Sequence, residues 1–320
     1  MIGGIVAVQC GIIVFNDVLK GVFAMDTKQY KFVGKDFDIE AAPTKIDGYN
    51  DEDMAMVENV KGQIEANLKK LKKFQKKMYS RSRYGVVLVF QALDAAGKDS
   101  MIAHIFSGID PVGFTVNNFK QPSKTDLSHD YLWRIHQKLP ERGAIGVLNR
   151  SYYEDVLVSR VHPELILNAN LPNVLSIDDV NDAFWDGRYE DIRQFEKYLT
   201  RNGYVVLKFF LHVSKGEQKK RFERRITMPE KNWKFSASDI KERQYWDEYQ
   251  LAYEKAINET ATKNNPWYVI PSDSKWYSRL VVSDILTKRL GKLDLSFPEV
   301  TAEQKAAMDD ALHRLENEKD

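Results

Sequence analysis

The sequence predicts an α/β protein: a parallel sheet of about five strands flanked by helices, with a helical lid and helical additions at both ends. Two observations carry this. Short runs rich in β-branched and aromatic residues alternate with segments of three-to-four-residue apolar periodicity along most of the 320 residues, the pattern of strands joined by helical crossovers. The first strong run, Val86–Gln91, shows no polar alternation and passes straight into a glycine-containing loop and a helix, as a strand buried on both faces does.

The elements follow in chain order. Met1–Phe15 carries no charge. It is shorter than the roughly 20 apolar residues of a spanning helix, and it lacks the basic start and the cleavage site of a signal peptide. An extra strand and a weak membrane anchor are open readings. The preferred one sets residues 1–25 aside as an apolar leader, with the working protein opening at Met25. Residues 26–50 are mixed in character, punctuated by Pro43 and Gly48, and read as an N-terminal arm. Over 52–82, Met56, Val57, Val60, Ile64, Leu68, Leu71, Phe74 and Met78 recur at helical spacing. Strand Val86–Gln91, the loop ALDAAGKDS and a helix opening MIAHIFSGI come next. Later strands are expected at Phe114–Phe119, Ala144–Asn149, Tyr204–Val213 and Trp267–Ile270. Helices are expected near 126–138, 153–161, 182–201, 214–226, 238–262 and 275–290. Met228-Pro229 breaks the chain into a loop over 227–237. With no repeat or low-complexity linker, one domain is expected over 51–292, its lid at about 215–239, and an acidic helical tail over 293–320.

Composition narrows the function classes. Lys plus Arg is 47 against 46 for Asp plus Glu, a net charge of +1, with 43% apolar and 29% charged residues. Disordered, collagenous and histone-like chains are excluded. A chain of this length buries roughly three quarters of its unfolded surface without disulfide help. Cys10 is the one cysteine, which fits a reducing, cytoplasmic compartment. No H-E-x-x-H or G-x-S-x-G is present, so zinc-hydrolase and serine-hydrolase readings fail. His104 and His212 stand in apolar contexts and read as core residues. The charge is unevenly placed. Lys61–Arg83 holds nine basic residues against Glu65 alone, and Lys215–Ser238 holds eight against three acids. Such segregation suits a long polyanion, and a solvated helix face is the plain alternative.

Three clusters carry chemistry. The stretch Ala92–Asp99, followed by Ser100, lies between a strand and a helix and matches the phosphate-binding pattern G-x-x-x-x-G-K-[ST] at Gly97 and Lys98. Gly97 permits the tight turn that aims N–H groups at phosphate oxygens, the helix adds its positive end, and Lys98 neutralises a phosphate. Ala92 and Asp99 depart from the pattern. Asp94 reads equally as a Mg²⁺ ligand or as a cap on the loop. In the second cluster Asn149, Arg150 and Glu154 lie at or just past the end of a strand, where open α/β sheets collect ligands. Arg150 offers a bidentate phosphate contact, or an Arg–Glu surface pair. In the third, Arg221 and Arg225 share a helix face ahead of the 227–237 loop, as a lid over phosphates requires. An ATP-dependent small-molecule kinase shares these parts, and a nucleic-acid-binding module explains the basic segments but not the loop and lid.

Taken together, DAAGKD (Asp94–Asp99), NNFKQPS (Asn117–Ser123), LPERGAIGVLNRSYYEDVLVSRVHPE (Leu139–Glu164), RFERRITMPEKNWKFSASD (Arg221–Asp239) and NPWYVIPSDSKWYSR (Asn265–Arg279) resemble the polyphosphate kinase type 2 family over roughly residues 50–292. The resemblance implies a P-loop kinase fold related to thymidylate kinases. It also implies Mg²⁺-dependent phosphoryl transfer, with Mn²⁺ as a substitute, between inorganic polyphosphate and purine nucleotides. Asp94, Lys98, Arg150 and a lid arginine, Arg225, would stand at the active site with Asn149 and Glu154. Ala95, Ala96, Gly97, Asp99, Ser100, Lys120, Arg221, Lys231 and Lys234 would hold phosphates, and Asp94 and Glu154 the metal. Many members carry Asp where this chain has Asn149. The Asn149–Glu154 pairing resembles the subgroup that accepts both nucleoside mono- and diphosphates. The same resemblance implies self-association, with no nucleic-acid or membrane partner.

Overall fold

The computed structural model describes residues 25–318. Residues 1–24, which include Cys10 and all but the last residue of the expected leader, lie outside these described residues. After a 3₁₀ turn at Thr27–Tyr30 come β1 (Lys31–Phe32) and α1 (Met54–Arg81), then β2 (Gly85–Gln91) and α2 (Lys98–Ile105). β3 (Phe114–Asn118), α3 (Lys124–Leu127), α4 (Trp133–His136) and β4 (Ile145–Asn149) follow. Next are α5 (Val158–Val161), α6 (Glu164–Leu167), α7 (Asp182–Arg201), β5 (Tyr204–His212) and α8 (Lys215–Thr227). The chain closes with α9 (Ala237–Glu242), α10 (Trp246–Thr260), β6 (Trp267–Pro271), α11 (Lys275–Leu290) and α12 (Ala302–Glu316).

The strand order is β1-β6-β5-β2-β4-β3. β2 is central, its Leu88 opposite Val147 of β4 and Leu207 of β5, and both pairings are parallel. Alternation appears only in which core each residue enters. Val86, Leu88 and Phe90 join Ile64 and Leu71 of α1 and Leu280 of α11. Val87 and Val89 join Ile192 and Phe195 of α7 and Ile257 of α10. Both faces being covered, the strand reads as one apolar run.

The five expected strands form the parallel part of the sheet, and the sixth is a correction. β1 pairs antiparallel with β6 through Lys31↔Tyr268 and Phe32↔Trp267. Two residues in the arm carry no periodicity to read, so this strand exists through its distant partner alone. Three expected helices are also broken. The 126–138 segment is two single turns, α3 and α4. The 153–161 segment is a 3₁₀ turn, Tyr152–Val156, and the short α5. The 238–262 segment bends through a 3₁₀ turn at Arg243–Tyr245, where the Arg243 guanidinium reaches the Lys215 carbonyl at 2.9 Å. The loop expected over 227–237 contains a 3₁₀ turn, Pro229–Lys234. α12 is helical as its sequence predicts, and it is exposed along its whole length.

Candidate active site

The loop after β2 sits between the ends of β4 and β5, where a crevice opens in the sheet. Ala95 has φ +61° and Gly97, the N-cap of α2, has φ +103°. Such left-handed positions curl successive peptides into an anion-binding concavity. The Lys98 ammonium folds back onto the Ala92 carbonyl at 2.6 Å. Burial pushes it below its ordinary pKa, with Asp94 opposing. The Ser100 hydroxyl caps the Gly97 carbonyl at 3.0 Å.

The end of β4 meets this loop. Asn149 lies opposite Phe90 of β2 and Asn118 of β3, and its amide donates to Asp99 and to Asn118, both at 2.7 Å. Arg150 turns with φ +63°, and its guanidinium pairs with Asp94 at 3.2 Å. Glu154 lies in the 3₁₀ turn Tyr152–Val156 rather than in an α-helix. Burial raises its pKa, against Arg150 and Lys98. That turn is anchored from behind: the Tyr152 and Tyr153 hydroxyls donate to buried Glu196 at 2.9 and 2.8 Å, and Glu196 is paired with buried Lys208 at 2.8 Å.

Two cavities meet here. One, of about 670 Å³, is lined by nine cationic side chains against three acidic ones. It takes in the loop from Asp94 to Ser100, together with Lys120, Asn149, Arg225, Lys231 and Lys234. Arg224, Trp233 and Lys275 also line it, although the sequence reading did not single them out as site residues. The signal for Lys275 lay in its motif, four residues past the end of β6. The other cavity, of about 1150 Å³, has aromatic walls from Tyr131, Trp246, Tyr249 and Tyr253, and it includes Glu154 and Asp239. These side chains come from distant segments, so no local pattern announced them. Asp94, Lys120 and Arg150 line both cavities.

Two expected placements change. Arg221 borders the basic cavity, but its guanidinium is spent on protein. Nε donates to Glu217 at 2.8 Å. Nη1 reaches the Ala95 and Ala96 carbonyls at 3.3 and 2.7 Å. Nη2 reaches those of Ser272 and Asp273 at 2.6 and 3.2 Å. Five acceptors match its five donors, so none is left for phosphate. The basic run of Lys61–Arg83 lines neither cavity. Its lysines 69, 70, 72, 73 and 76 stand exposed on α1 as a solvated face. Arg225 does border the basic cavity, held by Asp239 at 3.0 Å.

A strand, a phosphate-type loop and a helix at the switch point of a parallel sheet, with cations over the loop, define a P-loop kinase-like phosphotransferase. The sequence profile of the family Polyphosphate kinase 2 (PPK2) matches residues 54–297, and the chain belongs to that family. It is 47% identical over 276 residues to the ADP-polyphosphate phosphotransferase of Rhodopseudomonas palustris, covering 86% of this chain and 93% of that one. It is 43% identical over 242 residues to the AMP/ADP-polyphosphate phosphotransferase of Meiothermus ruber, covering 75% and 85%. The crystal structure of Polyphosphate Kinase 2 from Arthrobacter aurescens TC1 superposes with a TM-score of 0.79 at 34% identity, over 90% of this chain and 98% of that one. The protein is a polyphosphate kinase. Among the described residues no helix is long and apolar enough to cross a membrane.

Proposed function

We propose that the protein transfers phosphoryl groups between inorganic polyphosphate, held in the basic cavity, and nucleoside mono- or diphosphates, held in the aromatic one. The observation that carries this is the junction: cavities of opposite character share Asp94, Lys120 and Arg150. Polyphosphate needs charge and no base pocket, whereas a nucleotide needs aromatic walls for its base. The basic cavity is also overcharged. Burial and the neighbouring Arg221, Arg224 and Lys231 depress the Lys275 ammonium, a strain that a bound polyanion relieves.

Phosphoryl transfer needs in-line positioning and charge neutralisation more than covalent help. The backbone of residues 95–97, with Asp99 and Ser100, would cradle the donor end. Lys98, Arg150 and Arg225 would stabilise charge as it spreads in the transition state, with Lys231 and Lys234 holding the chain from the lid. Asp94 and Glu154 flank Arg150 and offer the hard oxygen donors that Mg²⁺ or Mn²⁺ prefers. Among the described residues no three His, Cys, Asp or Glu side chains form a self-contained metal cage. That fits an ion bound through one or two carboxylates and the substrate's own phosphates. When bound, the ion supplies charge neutralisation on those phosphates. We place the reaction in the cytoplasm, in keeping with a chain that has one cysteine.

A donor–acceptor panel tests the reading: polyphosphate or ATP against AMP, ADP, GMP and GDP, with and without Mg²⁺. ATP should form from ADP with polyphosphate as sole donor. No ATP under those conditions, with ATP-dependent transfer to another acceptor, returns the assignment to an ordinary small-molecule kinase.

A further inference from the structure

The phosphate-type loop is gripped from outside by two side chains one turn apart on α8. Gln218 donates to the Asp94 carbonyl at 2.9 Å, and Arg221 takes the Ala95 and Ala96 carbonyls. Three consecutive loop carbonyls are thus held by one helix. Both side chains are buried, at 3% and 6% exposure. Each is fixed in turn. Arg243 donates to the Gln218 side-chain oxygen, and Glu217, Ser272 and Asp273 fill the rest of the Arg221 fork. Asp273 also accepts from the backbone N–H of Ser214, the α8 N-cap, at 2.8 Å.

We propose that Gln218 and Arg221 are positioning residues for phosphoryl transfer, which orient the loop's N–H groups by capturing its carbonyls. The peptide bonds of the described residues are all trans, so each carbonyl points opposite to the N–H of the next residue. Carbonyls 94 and 96 drawn toward α8 turn the N–H groups of Ala95 and Gly97 the other way, toward the cavity. The N–H of Ala96 is occupied by the Leu93 carbonyl at 3.2 Å. The left-handed φ of Ala95 is unfavourable for a residue with a Cβ unless something holds it, and the clamp does so. Two consequences follow. The first turns of α8, through Arg221, then belong to the cradle rather than to the lid expected over 215–239. And a buried arginine acts on the reaction without touching phosphate.

The inference rests on the loop being the phosphate cradle, as proposed above, and the test separates the two. Arg221→Lys keeps the charge but cannot serve carbonyls on two sides at once. Three readouts are taken on the full-length protein: amide hydrogen exchange of residues 95–99, calorimetric affinity for inorganic triphosphate, and kcat with KM for the nucleotide. Exchange should accelerate, triphosphate affinity and kcat should each fall ~10–100-fold, and nucleotide KM should stay within about two-fold. Parent-like exchange in the folded variant overturns the clamp. Faster exchange with parent-like triphosphate affinity and kcat overturns the positioning role. If the parent binds no triphosphate, the cradle reading is at fault, and exchange alone still decides the clamp. Should Arg221→Lys fail to fold, Gln218→Met decides in the same way. It removes one donor, and it should accelerate exchange at Ala95 and lower kcat several-fold; unchanged values of both overturn the proposal.

Discussion

The Asn149 amide lies 2.7 Å from the Asp99 carboxylate. These are two of the positions at which the chain departs from the usual phosphate-loop arrangement. Asp99 stands where a Ser or Thr hydroxyl is common, and Asn149 where a strand-end carboxylate is common. The departures compensate: the carboxylate has moved from strand to loop, and a neutral donor faces it. Asn149→Asp should therefore fail alone, because two carboxylates at this distance resist common ionisation. We expect turnover to fall about ten-fold in Asn149→Asp and to recover in Asn149→Asp/Asp99→Asn, with a coupling of ~1–3 kcal/mol. A kcat/KM cycle measures it, and simple additivity shows that the two residues act independently.

Lys98→Ala and Asp94→Ala should each lower turnover ~10²–10³-fold, the usual cost of removing one preorganised charge from a transition state. Both side chains lie on the cavity wall rather than in the core. The Arg150–Asp94 pair is partly exposed, so the loss of stability should stay within about 1 kcal/mol. Thermal unfolding and initial rates on the same samples separate the effects. A folded variant with near-normal turnover removes that residue from the reaction.

Behind Arg150, the Lys208–Glu196 pair is buried completely, at 0% and 1% side-chain exposure. Burial lowers the Lys208 pKa and Glu196 opposes this. Lys208→Met leaves Glu196 buried and uncompensated, at a cost of ~3–5 kcal/mol, whereas Lys208→Met/Glu196→Leu should be markedly milder. Because Glu196 also accepts from Tyr152 and Tyr153, the double variant should still lose turnover as the turn carrying Glu154 loosens. Denaturant melts and initial rates check the two halves separately.

What could be read from the sequence follows from how local each cause is. β2 was legible because burial on both faces leaves a continuous apolar run, and the loop after it because Gly97 and Lys98 are neighbours. β1 was not, because it exists only against Trp267 and Tyr268. Arg221 shows the subtler failure. Residue type and helix face place it over the loop, but nothing local shows that backbone carbonyls consume its five donors. The aromatic cavity was missed for the same reason, its walls being gathered from the turn before α4 and from α10. The charge of Lys61–Arg83 was legible but its target was not, since charge counts do not say which way a face points.

Asp155 gives a pH signature. It lines the aromatic cavity, and burial pushes its carboxyl from 3.8 up to about 6, with Arg188 and Arg134 opposing. Because this pKa is raised on folding, the folded protein binds the proton more tightly than the unfolded chain between about pH 4 and 6. Stability therefore falls as pH rises through that window, and above it the buried charge is a net cost. A shift of this size corresponds to at most about 3 kcal/mol. Asp155→Asn removes the charge at similar volume. The variant should match the parent near pH 4 and exceed it above about pH 6.5, with the gap opening between. Denaturant melts across pH 4–8 read this directly. A parent as stable as the variant at pH 7.5 would mean that Arg188 and Arg134 fully offset the burial of Asp155.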